Sequence, residues 1–165
     1  MIPVKGKRRS RNGNVIAETP PALFILFIVI FVPMLSLIAL GVKYGVCYSL
    51  NVMQSNEAAL IPASKANSDS GPIRLGIPKS WKDSGLGAFV DLNQPLPTTA
   101  VRYEKGAMGA NGVQEQFVYV TTTFQLRPFI TNDNAPFANV PGLTAPLNFT
   151  IESSRPLENP TNAEK

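Results

Sequence analysis

RNGNVIAETPPALFILFIVIFVPMLSLIALGVKYGV, residues 11–46, decides how this chain is built. No charged residue occurs from Thr19 to Val42. Ala22 to Val42 alone is 21 residues; as a helix rising about 1.5 Å per residue it reaches roughly 31 Å, the depth of a hydrocarbon core. That is longer than the apolar region of a cleaved secretory signal, about 7–15 residues. A transmembrane helix is expected, with Lys43 and Tyr44 at its far end as snorkelling lysine and interfacial aromatic. Glu18 stands at the mouth of the span, where a carboxylate is costly in lipid and marks function. Gly13 lies five positions before it.

Upstream, MIPVKGKRRSRNG carries Lys5, Lys7, Arg8, Arg9 and Arg11 and no acid. The chain has fifteen basic and eleven acidic residues, a net charge of +4. Removing the five leader cations leaves ten basic and eleven acidic, so the remainder is near neutral. The basic character is therefore a local address that keeps the leader cytoplasmic and sends the chain beyond Lys43 outward. No later basic stripe interleaves with aromatics, so nucleic acid is not an expected partner.

Composition also points away from catalysis. There is no histidine, the commonest general base and metal ligand. The single cysteine, Cys47, forms no internal disulfide and no zinc cage. No enzyme activity, cofactor or metal is expected. Asp133 in TNDNA is one carboxylate, too few for calcium. Gly45-Val46 ahead of Cys47 lacks the small residue of a lipidation site, so Cys47 reads as a quiet thiol. Trp81, the only tryptophan, reads as a core or interface plug. Asn148-Phe149-Thr150 fits a glycosylation sequon and reads as strand sequence. Ala39-Leu40-Gly41 resembles a signal peptidase site; cleavage there would give a soluble secreted protein.

Beyond the span the helix is expected to continue, as one element over residues 22–61. Val42, Val46, Leu50, Met53 and Leu60 give an apolar stripe, with Gln54, Ser55 and Glu57 off it. The alternative is a separate short helix after a break at Gly41 or Gly45. Pro62 and SKANSDSGP, residues 64–72, end it. Within the span, Pro20 and Pro21 suit a first helical turn, and Pro33 kinks or loosens the middle, with Ser36 available to compensate. Residues 72–116 show little periodicity. GAFVDL (87–92) and TTAVRY (98–103) read as short strands, and KGAMGANG (105–112) as a loop. QFVYVTTTFQL (116–126) is the strongest strand, with Val118, Val120, Thr122 and Phe124 on one face. PLNFTIESS (146–154) alternates Leu147, Phe149 and Ile151 with polar residues. The two should pair antiparallel, joined by the turn-rich RPFITNDNAPFANVPGLTA, with the helix on one face.

The expected fold class is thus α+β: a long N-terminal transmembrane helix continuing into a small outer domain with an antiparallel sheet. Residues 1–13 form a basic leader, 14–61 the helix and its extension, 62–155 the outer domain and 156–165 a flexible tail.

The leader, Gly13, Glu18 and the apolar helix resemble the class III signal segments of type IV pilin-like proteins. The closer likeness is to the TadE/TadF group, pseudopilin-like minor subunits of tight-adherence (Tad, or Flp) pili. RNGNVIAE, GVKYGVCYSLNVMQSNEAAL and the closing pair FVYVTTTFQLRPF and LNFTIESSRPLEN carry that resemblance, most strongly over residues 5–60. It implies cleavage by a prepilin peptidase between Gly13 and Asn14, leaving Glu18 fifth in the mature chain as an assembly contact. It also implies other pilin-like subunits, inner-membrane platform proteins and the lipid bilayer as partners, with the outer domain periplasmic or extracellular. The physical chemistry agrees: cleavage creates an amine on Asn14, and Glu18 lies one helical turn away, able to pair with such an amine on its own or a neighbouring chain. Glycine lets a protease approach the backbone closely. The plainer alternative is a signal anchor whose Glu18 sits at the headgroups, carrying a periplasmic binding or adhesion module with no pilus role.

Overall fold

The computed structural model describes residues 13–108, 114–127, 141 and 145–158, with the side chains of 13–18 and 32 excepted. The leader, Asp133 and most of the connection before the last strand lie outside the described residues. The chain divides between Ile38 and Ala39 into two compact units.

The first unit is helical. Helix α1 spans Gly13–Leu26, a π-helical turn spans Phe27–Phe31, and α2 spans Val32–Leu60, reaching beyond this unit. Pro20 and Pro21 lie inside α1, not in its first turn. Residues 13–18 are already helical, and the two prolines remove the N–H bonds to the carbonyls of Ile16 and Ala17. The loosening expected at Pro33 takes the form of the π turn. It ends two residues before Pro33, whose missing N–H leaves the Val29 carbonyl, inside the π turn, without its α-helical donor. Phe27 and Phe31, one turn apart, stack at 4.4 Å between centroids.

The second unit is α+β. Helix α2 continues unbroken through Gly41 and Gly45 to Leu60, where Pro62 stops it. After it come α3 (Ala63–Ala66), a π-helical turn (Pro72–Gly76), α4 (Ile77–Lys82) and α5 (Gly85–Val90). Strands β1 (Thr98–Met108), β2 (Gln114–Leu126) and β3 (Leu147–Pro156) then form an antiparallel sheet in the order β1-β2-β3. Val118, Val120, Thr122 and Phe124 are buried along one face of β2, as their alternation predicts. Tyr103, Val101 and Thr99 flank them from β1, and Arg155, Ser153, Ile151 and Phe149 from β3.

Three sequence expectations fail here. Residues 87–92 are not a strand. Ser84 caps a helix instead, its Oγ accepting from Gly87 N, and Asp91 closes it in the left-handed region (φ 53°). Within this segment only Leu92 forms a β-bridge to the sheet, opposite Leu126. Residues 105–108 are strand and not loop, because β1 runs on to Met108 through a register shift between Lys105 and Met108. The apolar stripe of α2 is rotated from the expected one. Met53 and Leu60 are 53% and 52% exposed, whereas Gln54 and Ser55 are fully buried. The buried stripe is Cys47, Leu50, Asn51, Gln54, Ser55, Ala58 and Ala59. Its small side chains admit close approach, and both of its carboxamide nitrogens find partners, although Asn51 Oδ1 is buried without one among the described residues.

The tail expected from residue 156 is packed at its start: Leu157 is buried and its N–H donates to Gln116 O at 2.8 Å. Residues 159–165 lie outside the described residues.

Candidate functional site

Gly13, Asn14 and Glu18 lie in α1, Gly13 being the first described residue. Their backbone is helical; the pairing expected of Glu18 rests on side chains outside the described ones. Just beyond, every residue from Leu23 to Phe31 is exposed, and so are Met34, Leu35, Leu37 and Ile38. Nine consecutive helical positions cover all faces of a helix, so this stretch has no polar side to offer water. Among the described residues one helix, Thr19–Leu60, is long and apolar enough to cross a membrane. Leu23, Leu26, Phe27, Ile30, Phe31 and Met34 line a shallow apolar recess at the π turn.

In the second unit, the residues expected to carry chemistry take structural roles. Cys47 is fully buried beside Leu50 and Phe124 in the first of two apolar clusters. Burial pushes its thiol up to about 12, against a smaller opposing pull from Lys43. A thiol held protonated is a poor nucleophile and a poor metal ligand. Trp81 is buried as expected and meets Phe124 edge-on at 6.5 Å. Phe124 stacks on Phe149 at 5.4 Å, and Phe149 meets Tyr44 at 5.3 Å, so four aromatics tie α4, β2, β3 and α2 together. Asn148 and Thr150 lie exposed on β3, in the strand sequence expected. No group of His, Cys, Asp and Glu able to hold a metal occurs among the described residues.

Two features were not foreseen. The first is a groove of about 400 Å³ lined by Met53, Pro72, Ile77, Ser80, Trp81 and Leu86. It follows from the rotated stripe, which turns Met53 outward beside the short helices. The second is a buried polar network on one turn of α2. Asn51 Nδ2 donates to Val120 O at 3.0 Å, Thr122 Oγ1 at 3.0 Å and Ile151 O at 3.3 Å. Thr122 Oγ1 donates on to Gln54 Oε1 at 2.9 Å. Gln54 Nε2 donates to Ile73 O at 2.7 Å and Thr99 Oγ1 at 2.9 Å. Two side chains thus reach all three strands and the π turn after α3. The signal available in the sequence was the four-residue repeat Cys47, Asn51, Ser55, Ala59, whose small and amide residues suit a buried contact better than Met53 does.

The outer face of the sheet is polar. Arg102 bridges Glu104 at 3.3 Å and Glu152 at 3.1 Å, and lies 4.5 Å over the Tyr119 ring. Glu152 also accepts from Thr121 Oγ1 at 2.8 Å. Arg102, Glu104 and Glu152 are about half exposed, so their pairing orders the surface more than it stabilises the fold.

No protein-family model, no curated protein and no solved structure matches the chain.

Proposed function

We propose that this chain is a single-pass membrane protein acting as a minor, TadE-like pilin subunit of a Tad/Flp-type pilus or a related secretion apparatus. The leader stays in the cytoplasm of a bacterial cell. The helix spans the inner membrane over about residues 22–42, and the α+β unit stands in the periplasm or beyond. The observation that carries this reading is the helix that exposes apolar side chains on all faces directly after Gly13 and Glu18. A soluble protein has no use for such a surface, whereas lipid or neighbouring apolar helices solvate it.

On this reading a prepilin peptidase removes residues 1–13. Glu18 then pairs with the amine of Asn14, on its own chain or a neighbour's, and favours one axial register during assembly. The helix packs against other pilin-like subunits and platform membrane proteins. The work is done by assembly and involves no catalysis, cofactor or nucleic acid.

The groove beside Trp81 favours a second reading, a membrane-anchored periplasmic binding or adhesion module without a pilus role. Pulldown of pilin-like subunits at matched membrane abundance separates the two. Glu18→Gln keeps the shape and loses the charge, so under the pilus reading partner recovery falls while insertion persists. Equal recovery from wild type and variant removes Glu18 from assembly.

A further inference from the structure

We propose that the buried carboxamides of Asn51 and Gln54 form a register lock, fixing where along its length α2 sits on the sheet.

The apolar contact alone does not define that position. From α2 the buried stripe offers one large apolar side chain, Leu50, beside the small Cys47, Ser55, Ala58 and Ala59. The sheet offers Val118, Val120 and Thr122, three β-branched side chains in a row. Stripe positions repeat every four residues, as 47, 51, 55 and 59, and as 50, 54 and 58. A slide of one turn, about 5.4 Å, therefore lays small residues over β-branched ones again. Packing discriminates weakly between two such arrangements.

The carboxamides discriminate strongly. Asn51 Nδ2 lies between the Val120 and Ile151 carbonyls and the Thr122 hydroxyl, and Gln54 Nε2 between the Ile73 carbonyl and the Thr99 hydroxyl. Thr122 Oγ1 joins them by donating to Gln54 Oε1. A one-turn slide breaks all six bonds together and leaves both amide nitrogens and Gln54 Oε1 buried without partners, where natively, among these amide atoms, only Asn51 Oδ1 is. A buried polar residue that selects register in an otherwise permissive interface is a known device of helix packing. Because the partners lie on β1, β2, β3 and the π turn, any axial displacement of residues 47–59 carries the sheet with it. This holds whatever the chain assembles with.

The test measures register apart from stability. The full-length chain in detergent carries nitroxide labels on Asn56→Cys, paired with Thr150→Cys in one sample and Thr98→Cys in another. All three positions are exposed, and the native Cys47 is buried and stays unlabelled. Distances are read by pulsed electron resonance, with the fold monitored by circular dichroism. The otherwise native chain should give one narrow distance per pair. Replacing the network by apolar residues of similar size (Asn51→Leu, Gln54→Leu, Thr99→Val, Thr122→Val) should leave the secondary structure in place. At least one pair should then split, or shift by up to about 5 Å, one helical turn. A folded variant with both native distances overturns the lock. If that variant fails to fold, Asn51→Leu with Thr122→Val is read in the same way. Failure of both to fold also overturns it, since the network then supplies stability and not register.

Discussion

Asn51 Nδ2 and Thr122 Oγ1 meet at 3.0 Å with both side chains fully buried, joining α2 to the central strand of the sheet. Burying an amide N–H in an apolar interior is costly unless it finds an acceptor, and Asn51 Nδ2 finds three. Asn51→Ala removes three hydrogen bonds and opens space around Thr122. It should lower stability by about 1–3 kcal/mol, read as a lower urea midpoint for the α+β unit. An unchanged midpoint would mean that Asn51 is not held as described.

Two glycines should respond in opposite directions. A Cβ at Gly87 would run into the backbone of Trp81 and Lys82, so Gly87→Ala forces α4 and α5 apart and should cost about 1–3 kcal/mol. A Cβ at Gly45 meets nothing within 4 Å. There the same change restores helix propensity and should be neutral or stabilising by up to about 1 kcal/mol. Thermal melts of the two variants side by side check the contrast.

Cys47 should be unreactive in the folded chain. Its thiol rises from 9.0 to about 12 through burial, so maleimide at pH 8 should label it only after denaturation. The sign of the linkage follows from the same shift. Below pH 9 both states hold the proton and the stabilising contribution is complete. Between pH 9 and about 12 only the unfolded state releases it, so stability falls as pH rises. Cys47→Ala should remove that part of the alkaline loss. Fast labelling of the native chain would contradict this burial.

Topology can be read at one exposed site. Ser84 is a poor choice, since its hydroxyl caps α5 and donates to Trp81 O at 2.5 Å. Asn93 is exposed and uses only its backbone N–H, donated to Gln125 O. In cells, Asn93→Cys should react with a membrane-impermeant thiol reagent once the outer membrane is permeabilised. Protection until the inner membrane is lysed would reverse the proposed orientation.

The elements built on strong periodicity are legible in the amino-acid sequence. QFVYVTTTFQL alternates over its whole length, and the buried Val118, Val120, Thr122 and Phe124 follow from it directly. Leu147, Phe149 and Ile151 mark the partner strand in the same way, and the uncharged run marks the helix. GAFVDL misleads because its apolar residues also suit a short helix, and the deciding features are Ser84 ahead of it and the tight fit at Gly87. The face of α2 misleads for a different reason. Counting apolar residues favours Met53 over Gln54, but burial of an amide depends on acceptors from strands far along the chain, 45–100 residues away. Gly13 and Glu18 are legible as a motif in the sequence, and both lie in helical backbone.

The central claim is that residues 1–13 are a leader that a prepilin peptidase removes. The direct measurement is the intact mass and N-terminal sequence of the membrane-extracted chain, expressed with and without a cognate peptidase. A chain beginning at Asn14 is expected when the peptidase is active and at Met1 when it is not. A membrane-bound product that keeps Met1 to Gly13 beside active peptidase would contradict it, and a soluble product starting near Val42 would show that the helix is a cleaved secretory signal.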